Sequence, residues 1–257
     1  MSAFNVTPLP FARDNYIWLI DDGGQAALVD PGEAAPAFAA LEAAALAPAA
    51  ILLTHHHVDH IGGVREIVAR YPSIPVYGPR KERIAGVDHP VADGDRIAIP
   101  GLGLDLQVLD LSAHTRGHVA YFGHGMLFCG DVLTSAGCGR IFEGGPVDLA
   151  RALDRLVCLD GSTKVYCAHE FTLANLAFSR AAEPENAARD RYAERCEALR
   201  AQGKPTLPST IATERAINPF LRVGVEGVIA AVTARNGRRP PDALACLTAL
   251  RAWKDVF

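Results

Sequence analysis

The heptapeptide Thr-His-His-His-Val-Asp-His at 54–60 concentrates imidazoles and a carboxylate directly after the apolar run at 49–53. An uninterrupted apolar run of this length is typical of a strand buried on both faces, and sites in α/β proteins commonly lie where such strands end. Imidazole and carboxylate groups gathered in this way are typical ligands of Zn²⁺ or another borderline first-row ion. A histidine-rich surface loop or an adventitious metal site is the alternative interpretation, whereas the internal position excludes a terminal purification tag.

The spacing within this motif predicts which of its side chains share a face. In an extended chain, side chains two positions apart point the same way, so we expect His55, His57 and Asp59 on one side. His56 should then point away from the others and have a structural role. The glycine pair at 62–63 is expected to supply the turn that returns the last histidine of the motif towards its neighbours.

Three further polar clusters follow apolar runs in the same way. The sequence Ser-Ala-His-Thr-Arg-Gly-His begins at 112, Gly-Asp at 130 and His-Glu at 169. They come after apolar segments at 106–111, 126–129 and 164–168 respectively. If these strand ends are collected at one edge of a sheet, all four clusters lie together. This repetition supports a metal site much more strongly than the first motif alone.

The clusters together offer five imidazoles and two carboxylates, namely His55, His57, His60, His114, His169, Asp59 and Asp131. Seven protein ligands are too many for one tetrahedral ion, but they suit two ions bridged by a carboxylate and a solvent oxygen. Metal coordination lowers the pKa of water to near ~7, so we expect the attacking species to be a metal-bridging hydroxide. His118 either orients a ligand through its ring N–H or is a satisfied core histidine.

The rest of the sequence predicts packed sheets with helices outside them. Further strand candidates lie at 4–9, 15–20, 25–29, 75–78, 97–99 and 104–111, and helices are predicted at 33–46 and 64–70. After about residue 171 the pattern becomes helical, with an apolar stripe at 188, 192, 196 and 199 and a final helix at 242–254.

Size and composition limit the class of protein. The 257 residues are 49% hydrophobic and 21% charged, which permits one large domain or a domain with an appendage. A net charge of −4 predicts no nucleic-acid partner and no acidic-membrane partner. No apolar run approaches the ~20 residues that span a bilayer, and the N-terminal segment lacks the features of a signal peptide. The six cysteines form no Cys-x-x-Cys pair and are expected to be reduced, which favours a cytoplasmic protein. We also expect a monomer.

These motifs resemble those of the metallo-β-lactamase superfamily and, within it, of the glyoxalase II (hydroxyacylglutathione hydrolase) family. The motif at 54–60 alone would identify only the superfamily. The likeness covers essentially the whole chain, and the other stretches that carry it are 30–32, 114–118, 128–131, 136–140, 166–172, 218–222 and 250–255. The last three of these stretches are specific to the glyoxalase II branch.

The resemblance implies an α/β fold with two parts. A metallo-β-lactamase αββα sandwich would form a catalytic domain at 1–171, and a C-terminal helical domain at 172–257 would bind the substrate. Two divalent metal ions are implied, most simply Zn²⁺, although the ligands also admit Fe or Mn. In the implied arrangement one ion is held by His55, His57 and His114, the other by Asp59, His60 and His169, and Asp131 bridges them.

The implied reaction is hydrolysis of S-D-lactoylglutathione, a 2-hydroxyacylglutathione thioester, to glutathione and D-lactate in the second step of methylglyoxal detoxification. The nucleophile would be the metal-bridging hydroxide held by Asp131, His55, His57, Asp59 and His60. A thiolate is a good leaving group, because a thiol pKa near ~8.5 lets it depart without a strong general acid.

The resemblance also implies which residues contact the substrate. Arg251 and Lys254 match a pair that meets the glycine carboxylate of glutathione, and their spacing places both on one helix face; they could instead merely complement the helix dipole. Arg140 stands where relatives often have a Lys. Phe142 and Phe171 stand where better-known members have tyrosines, and each removes a hydroxyl donor, so we expect weaker recognition of the glutathione peptide with the chemistry intact.

Four alternative functions can be compared with this interpretation. A lactamase on the same fold is disfavoured by the helical C-terminal part, and a glutathione persulfide dioxygenase would use one iron and forgo the second set of ligands. A phosphodiesterase acting on RNA or DNA would need a basic track that the sequence lacks. A non-catalytic metal-binding module is disfavoured because structural metal sites are closed, whereas this set of ligands leaves open positions.

Overall fold

The computed structural model describes residues 4–257, which contain two six-stranded sheets. The first sheet has its strands in chain order: β1 (Asn5–Phe11), β2 (Asn15–Asp21), β3 (Gln25–Val29), β4 (Ala47–Leu52), β5 (Val76–Pro79) and β6 (His89–Val91). The first three strands are antiparallel neighbours, whereas β3 to β6 run parallel. The carboxyl ends of β3, β4 and β5 therefore meet at one edge.

The second sheet contains most of the later strands, in the order β14-β13-β10-β9-β8-β7. These are β7 (Arg96–Ile99), β8 (Leu104–Asp110), β9 (Val119–Gly123), β10 (Met126–Gly130), β13 (Lys164–Cys167) and β14 (Ser209–Thr210). Only the β10–β13 pair is parallel. The small hairpin of β11 (Leu133–Thr134) and β12 (Gly137–Cys138) lies between β10 and β13 in the sequence.

Nine α-helices are present in residues 4–257: α1 (Ala34–Ala43), α2 (Val58–Ile61), α3 (Val64–Arg70), α4 (Pro146–Val157), α5 (Thr172–Ala182), α6 (Ala187–Ala201), α7 (Ile211–Ile217), α8 (Glu226–Asn236) and α9 (Ala243–Asp255). A 3₁₀ turn follows α7 at Pro219–Leu221. Within this described part of the chain, no helix has both the length and the apolar character that crossing a bilayer requires.

The apolar side chains of the central strands alternate between two hydrophobic clusters. Trp18 of β2 packs into the cluster between the sheets, where its ring meets that of Tyr166 of β13 edge to face with centroids 4.9 Å apart. Trp18 Nε1 also donates to the carbonyl of Cys167 at 3.0 Å. The neighbouring Ile17 belongs instead to the cluster beneath α1 and α3, together with Leu41. This two-residue period, with both faces covered, produces the predicted layers of helices, sheets and helices.

The structure differs from the predicted elements in several places, since β6, β9 and α4 were not predicted. Helix α1 ends at Ala43 rather than at 46, because Ala45 adopts a left-handed conformation with φ 52°. The C-terminal region also contributes a strand that was not predicted, since Ser209 and Thr210 pair with Val165 and Lys164. The helical part is therefore joined to the second sheet by backbone hydrogen bonds, and the division into domains at 171/172 stays a prediction.

Candidate metal centre

The motif at 54–60 leaves β4 and enters a helix earlier than the alternation of an extended chain predicts. His57 is still extended (φ −62°, ψ 145°), but α2 begins at Val58, so Asp59 lies on a helical turn. The prediction that His55, His57 and Asp59 share one side of an extended strand is therefore wrong for Asp59, whereas the rings of His55 and His57 do face each other. The outward direction of His56 is as predicted, because its Nδ1 lies 2.9 Å from Glu82 Oε2.

The glycine pair after the motif is required for space rather than for an unusual backbone angle. Gly62 has φ −58° and Gly63 has φ −83°, so neither needs the left-handed region. A Cβ at Gly62 would instead lie 2.5 Å from the carbonyl oxygen of Gly32, and one at Gly63 would lie 2.8 Å from that of Pro31. The loop after β3 thus packs directly against the loop that carries the histidines.

The first group of nitrogen donors consists of His55, His57 and His114, which come from the ends of β4 and β8. His57 Nδ1 lies 3.0 Å from His55 Nε2 and 3.0 Å from His114 Nε2. All three nitrogens lie within 4.8 Å of one another, so one ion with metal–nitrogen distances near ~2.0 Å could contact all of them after small shifts of the rings.

The second group consists of Asp59, His60 and His169. His60 Nε2 lies 3.6 Å and His169 Nε2 lies 3.5 Å from Asp59 Oδ2. His60 is fully buried in the first turn of α2, and His169 follows β13. This group has both imidazole and carboxylate donors, which suits a second divalent ion.

Asp131, which follows β10, lies between the two groups. Its Oδ2 is 3.5 Å from His114 Nε2 and 3.3 Å from His169 Nε2, and its Oδ1 is 3.6 Å from His60 Nε2. Asp131 Oδ1 and His60 Nε2 are buried without a hydrogen-bond partner. Buried polar atoms of this kind need a partner, and a bound cation would provide one, so the residues fit the metal site predicted for them.

The outer nitrogens of His114 and His169 are within hydrogen-bond distance of oxygen atoms, whereas that of His60 lies beside a carboxylate oxygen without forming a hydrogen bond to it. His60 Nδ1 lies 3.0 Å from Asp30 Oδ2, His169 Nδ1 lies 3.1 Å from Asp14 Oδ1, and His114 Nδ1 donates to the carbonyl of Arg140 at 2.7 Å. Such partners fix the ring orientation and leave the inner nitrogen as the donor to a metal. Sequence reasoning did not find the roles of Asp14 and Asp30, although Asp30 stands in one of the stretches that carry the family resemblance.

His118 is a buried histidine that positions Asp131. Its Nε2 accepts from the backbone N–H of Asp131 at 3.2 Å, and its ring stacks on that of His55 with centroids 4.7 Å apart. Gly130, which directly precedes Asp131, has φ +49°, and a Cβ there would lie 2.6 Å from His118 Nε2. Neither of the two interpretations left open by the sequence holds as stated. His118 contacts a candidate ligand through an accepting ring nitrogen rather than a ring N–H, and it is a core histidine whose Nδ1 is buried without a hydrogen-bond partner.

The electrostatics of the cluster favour the ligand form of most of its histidines. Burial lowers the pKa of His55 well below its usual value, and it also lowers the pKa of His57 and of His114, so these imidazoles are neutral. Burial acts in the same direction on His60, but Asp131 and Asp30 outweigh it and raise the pKa of His60. Asp131 in turn has a pKa well below its usual value, because His60 and His169 outweigh its burial.

A cleft of about 410 Å³ opens beside the donors, with His114, Asp131 and His169 in its wall. Two exposed phenylalanines flank it. Phe171 lies flat on the ring of His169 with centroids 4.6 Å apart, and Phe142 meets the ring of His114 at 5.1 Å. Their exposed fractions of 38% and 60% are high for phenylalanine, so both are available to a molecule in the cleft.

The predicted cationic residues also line this cleft, but they differ in their surroundings. Arg140 is largely exposed, with Nε 3.6 Å from Asp255 Oδ1, and Lys254 is half-buried with Nζ 5.1 Å from the ring centroid of Phe178. Burial, together with the charge of Arg251, lowers the pKa of Lys254 to about 8.

Arg251 is buried and holds the hairpin that leads to Arg140. Its Nη1 donates to the carbonyls of Cys138 at 2.8 Å and Gly139 at 3.2 Å, and its Nη2 donates to Asp255 at 3.1 Å. Sequence reasoning missed this structural role. A contact between Arg251 and a substrate stays a prediction.

Comparison with known proteins agrees with this architecture. Residues 11–169 match the family described as Metallo-beta-lactamase superfamily, and residues 170–257 match Hydroxyacylglutathione hydrolase C-terminus. A protein named hydroxyacylglutathione hydrolase from Cupriavidus taiwanensis is 49% identical, with 98% of each chain covered. One of the same name from Nitrosomonas europaea is 45% identical over 98% of this chain and 96% of its own length.

Solved structures show the same fold. The B3 metallo-beta-lactamase BLEG-1 is 25% identical with a TM-score of 0.63, covering 85% of this chain and 99% of its own. TTHA1623, described in a di-iron-bound form, is 25% identical with a TM-score of 0.61, covering 84% of this chain and 100% of its own. The predicted fold class and family are confirmed: the chain belongs to the metallo-β-lactamase superfamily and, within it, to the hydroxyacylglutathione hydrolase (glyoxalase II) family.

Proposed function

We propose that this protein hydrolyses 2-hydroxyacylglutathione thioesters, with S-D-lactoylglutathione as substrate and glutathione and D-lactate as products, in the second step of methylglyoxal detoxification. The observation that carries the proposal is the arrangement of the cleft. Imidazole and carboxylate donors form one part of its wall, and the cations Arg140, Arg251 and Lys254 form another. This arrangement suits a substrate whose reactive carbonyl is several bonds away from a carboxylate, as in a glutathione thioester, where the acyl group is on the central cysteine and the glycine carboxylate is at one end of the peptide.

We further propose the ligands of two divalent ions, with Zn²⁺ as the first choice and Fe or Mn as alternatives. His55, His57 and His114 would hold one ion, Asp59, His60 and His169 the other, and Asp131 would bridge them. When bound, such ions lower the pKa of water to near ~7 and polarise a carbonyl oxygen, which supplies the hydroxide nucleophile. The second set of donors favours a dinuclear hydrolase over a one-iron dioxygenase.

The test of this function is to compare substrates on protein of known metal content. We expect close to two metal ions per chain and cleavage of S-D-lactoylglutathione, without comparable cleavage of a lactam or a phosphodiester. The two outcomes that contradict the proposal are one iron per chain with oxygen uptake on glutathione persulfide, and full metal loading without thioester cleavage.

Replacing either phenylalanine of the cleft by tyrosine is expected to strengthen substrate binding. Phe142→Tyr and Phe171→Tyr each add a donor next to the cleft, and one hydrogen bond is worth roughly 0.5–1.5 kcal/mol, so KM should fall about two- to tenfold with kcat unchanged. Steady-state kinetics on S-D-lactoylglutathione measures this. The matched control is Phe38→Tyr, whose ring contacts Tyr71 on the far side of the first sheet. An unchanged KM in both cleft variants would contradict the prediction.

Lys254 predicts a pH dependence of substrate binding. Because burial lowers its pKa to about 8, the ammonium that attracts a carboxylate is present at pH 7 and is lost as the pH rises through 8. We therefore expect kcat/KM to fall by up to about tenfold between pH 7 and pH 9, through KM. Lys254→Gln should have a higher KM at pH 7, and its kcat/KM should not show this fall between pH 7 and pH 9. If the variant and the wild type have identical pH profiles, Lys254 is not the titrating group.

We also propose that the protein acts in the cytoplasm and as a monomer. The cytoplasmic proposal is supported by the six cysteines, all of which are free thiols. Cell fractionation and sedimentation velocity would test the two statements separately.

A further inference from the structure

We propose that Glu82 is a positioning residue for the metal centre, because its buried carboxylate ties together the two loops that carry His55, His57 and His114. The inference rests on the metal ligands proposed above. Glu82 lies in the loop after β5, far from them in sequence, and its side chain is only 4% exposed. A buried carboxylate is stable only when donors surround it, so its contacts indicate what it holds in place.

Both carboxylate oxygens of Glu82 have partners on the ligand loops. Oε2 lies 2.9 Å from His56 Nδ1, while Oε1 accepts from the hydroxyl of Thr115 and from the backbone N–H of Gly117 at 3.1 Å. Gly117 leaves room for it, since a Cβ there would lie 2.3 Å from Glu82 Cγ. The backbone N–H of Glu82 donates to the carbonyl of Pro79 at 3.1 Å, which fixes the carboxylate relative to β5.

The position of these partners in the chain gives Glu82 its effect on the centre. His56 stands between two candidate ligands, and Thr115 directly follows a third. A shift of either loop would therefore change the spacing of the first donor group, in which His57 Nδ1 lies 3.0 Å from each of the other two nitrogens. Glu143 touches the other nitrogen of His56 at 3.3 Å, but its side chain is 38% exposed, so it cannot constrain that loop as firmly.

The experiment measures Zn²⁺ affinity by chelator competition on folded, metal-free Glu82→Ala, Glu82→Gln and Thr115→Val, together with kcat and KM. Loss of groups that orient metal ligands typically weakens metal binding 10- to 100-fold, and we expect about tenfold for Glu82→Ala because its contacts are one residue removed from the ligands. Glu82→Gln should weaken Zn²⁺ binding less than Glu82→Ala does. Thr115→Val should also weaken it, by a smaller factor. KM should stay within twofold, since Glu82 does not line the cleft. Glu42→Gln, which removes an exposed ion pair with Arg70, is the matched control.

A merely structural role predicts a different result: a lower free energy of unfolding of the metal-free protein with unchanged Zn²⁺ affinity once folded. That result for Glu82→Ala overturns the inference, and if this variant does not fold, unchanged affinity in Thr115→Val overturns it instead. If the wild type binds two ions and cleaves the thioester while these variants bind Zn²⁺ equally well, only the role of Glu82 is wrong. A wild type that binds no Zn²⁺ contradicts the metal centre itself.

Discussion

Replacing Asp131 by Asn is expected to lower kcat/KM for a glutathione thioester by on the order of 10³-fold, while the protein still folds. The amide is nearly the same size, but it lacks the negative charge that faces His60, His114 and His169. Bridging by a carboxylate and the charge stabilisation that depends on it are worth several kcal/mol, and each ~1.4 kcal/mol is a factor of ten in rate. The backbone N–H that donates to His118 is unchanged by the substitution.

This prediction is checked by kinetics and by metal analysis of the same preparation. We expect the Asn variant to retain less metal than the wild type, and added Zn²⁺ should restore little activity. Asp154→Asn is the matched control, because Asp154 is exposed on α4 and does not line the cleft. A variant at position 131 with wild-type metal content and more than a tenth of the wild-type kcat/KM would show that the bridging role is wrong.

Replacing Arg251 by Met is expected to reduce both stability and substrate binding. The substitution leaves the carbonyls of Cys138 and Gly139 without their donor, and unsatisfied buried groups cost about 1–3 kcal/mol each. We therefore expect the free energy of unfolding to fall by about 3 kcal/mol and KM to rise at least tenfold. Because the same hairpin ends at Arg140, whose carbonyl accepts from His114, kcat should fall as well.

Lys254→Met provides the contrast that separates these effects. Lys254 Nζ contacts aromatic rings rather than backbone carbonyls, so its loss should raise KM with little change in unfolding or in kcat. Urea denaturation and steady-state kinetics on both variants test the difference. If Arg251→Met is as stable as the wild type, the hairpin is held by other contacts, and Arg251 serves the substrate alone.

The donors of the centre could be predicted from the sequence because the polar clusters that contain them each follow an apolar strand. This local signal needs no knowledge of which strands are neighbours, and the structure brings all seven side chains together. The detailed geometry of the first motif was less predictable. The short helix at Val58–Ile61 forms because the loop after β3 packs against it, and that contact depends on tertiary structure rather than on spacing.

The groups that orient the donors could not be found in the same way. Asp14 lies 155 positions from His169, and Asp30 lies 24 positions from Thr54, whose N–H and hydroxyl it accepts. A single acidic residue in a loop has no periodicity or motif that distinguishes it from a solvated one. Arg251 shows the same limit: helical spacing predicts its face but not its contact with two backbone carbonyls.

The pairing of β14 with β13 joins the C-terminal part of this chain to the second sheet by backbone hydrogen bonds. A truncated protein that stops at the end of α5 would leave the N–H and C=O groups of Lys164 and Val165 open as an exposed edge, which invites self-association. A chimaera that exchanges the helical region with that of a relative would have to import Ser209 and Thr210 in register. Divergence of substrate preference in this architecture is therefore expected through point substitutions along the cleft rather than through shuffling of whole modules.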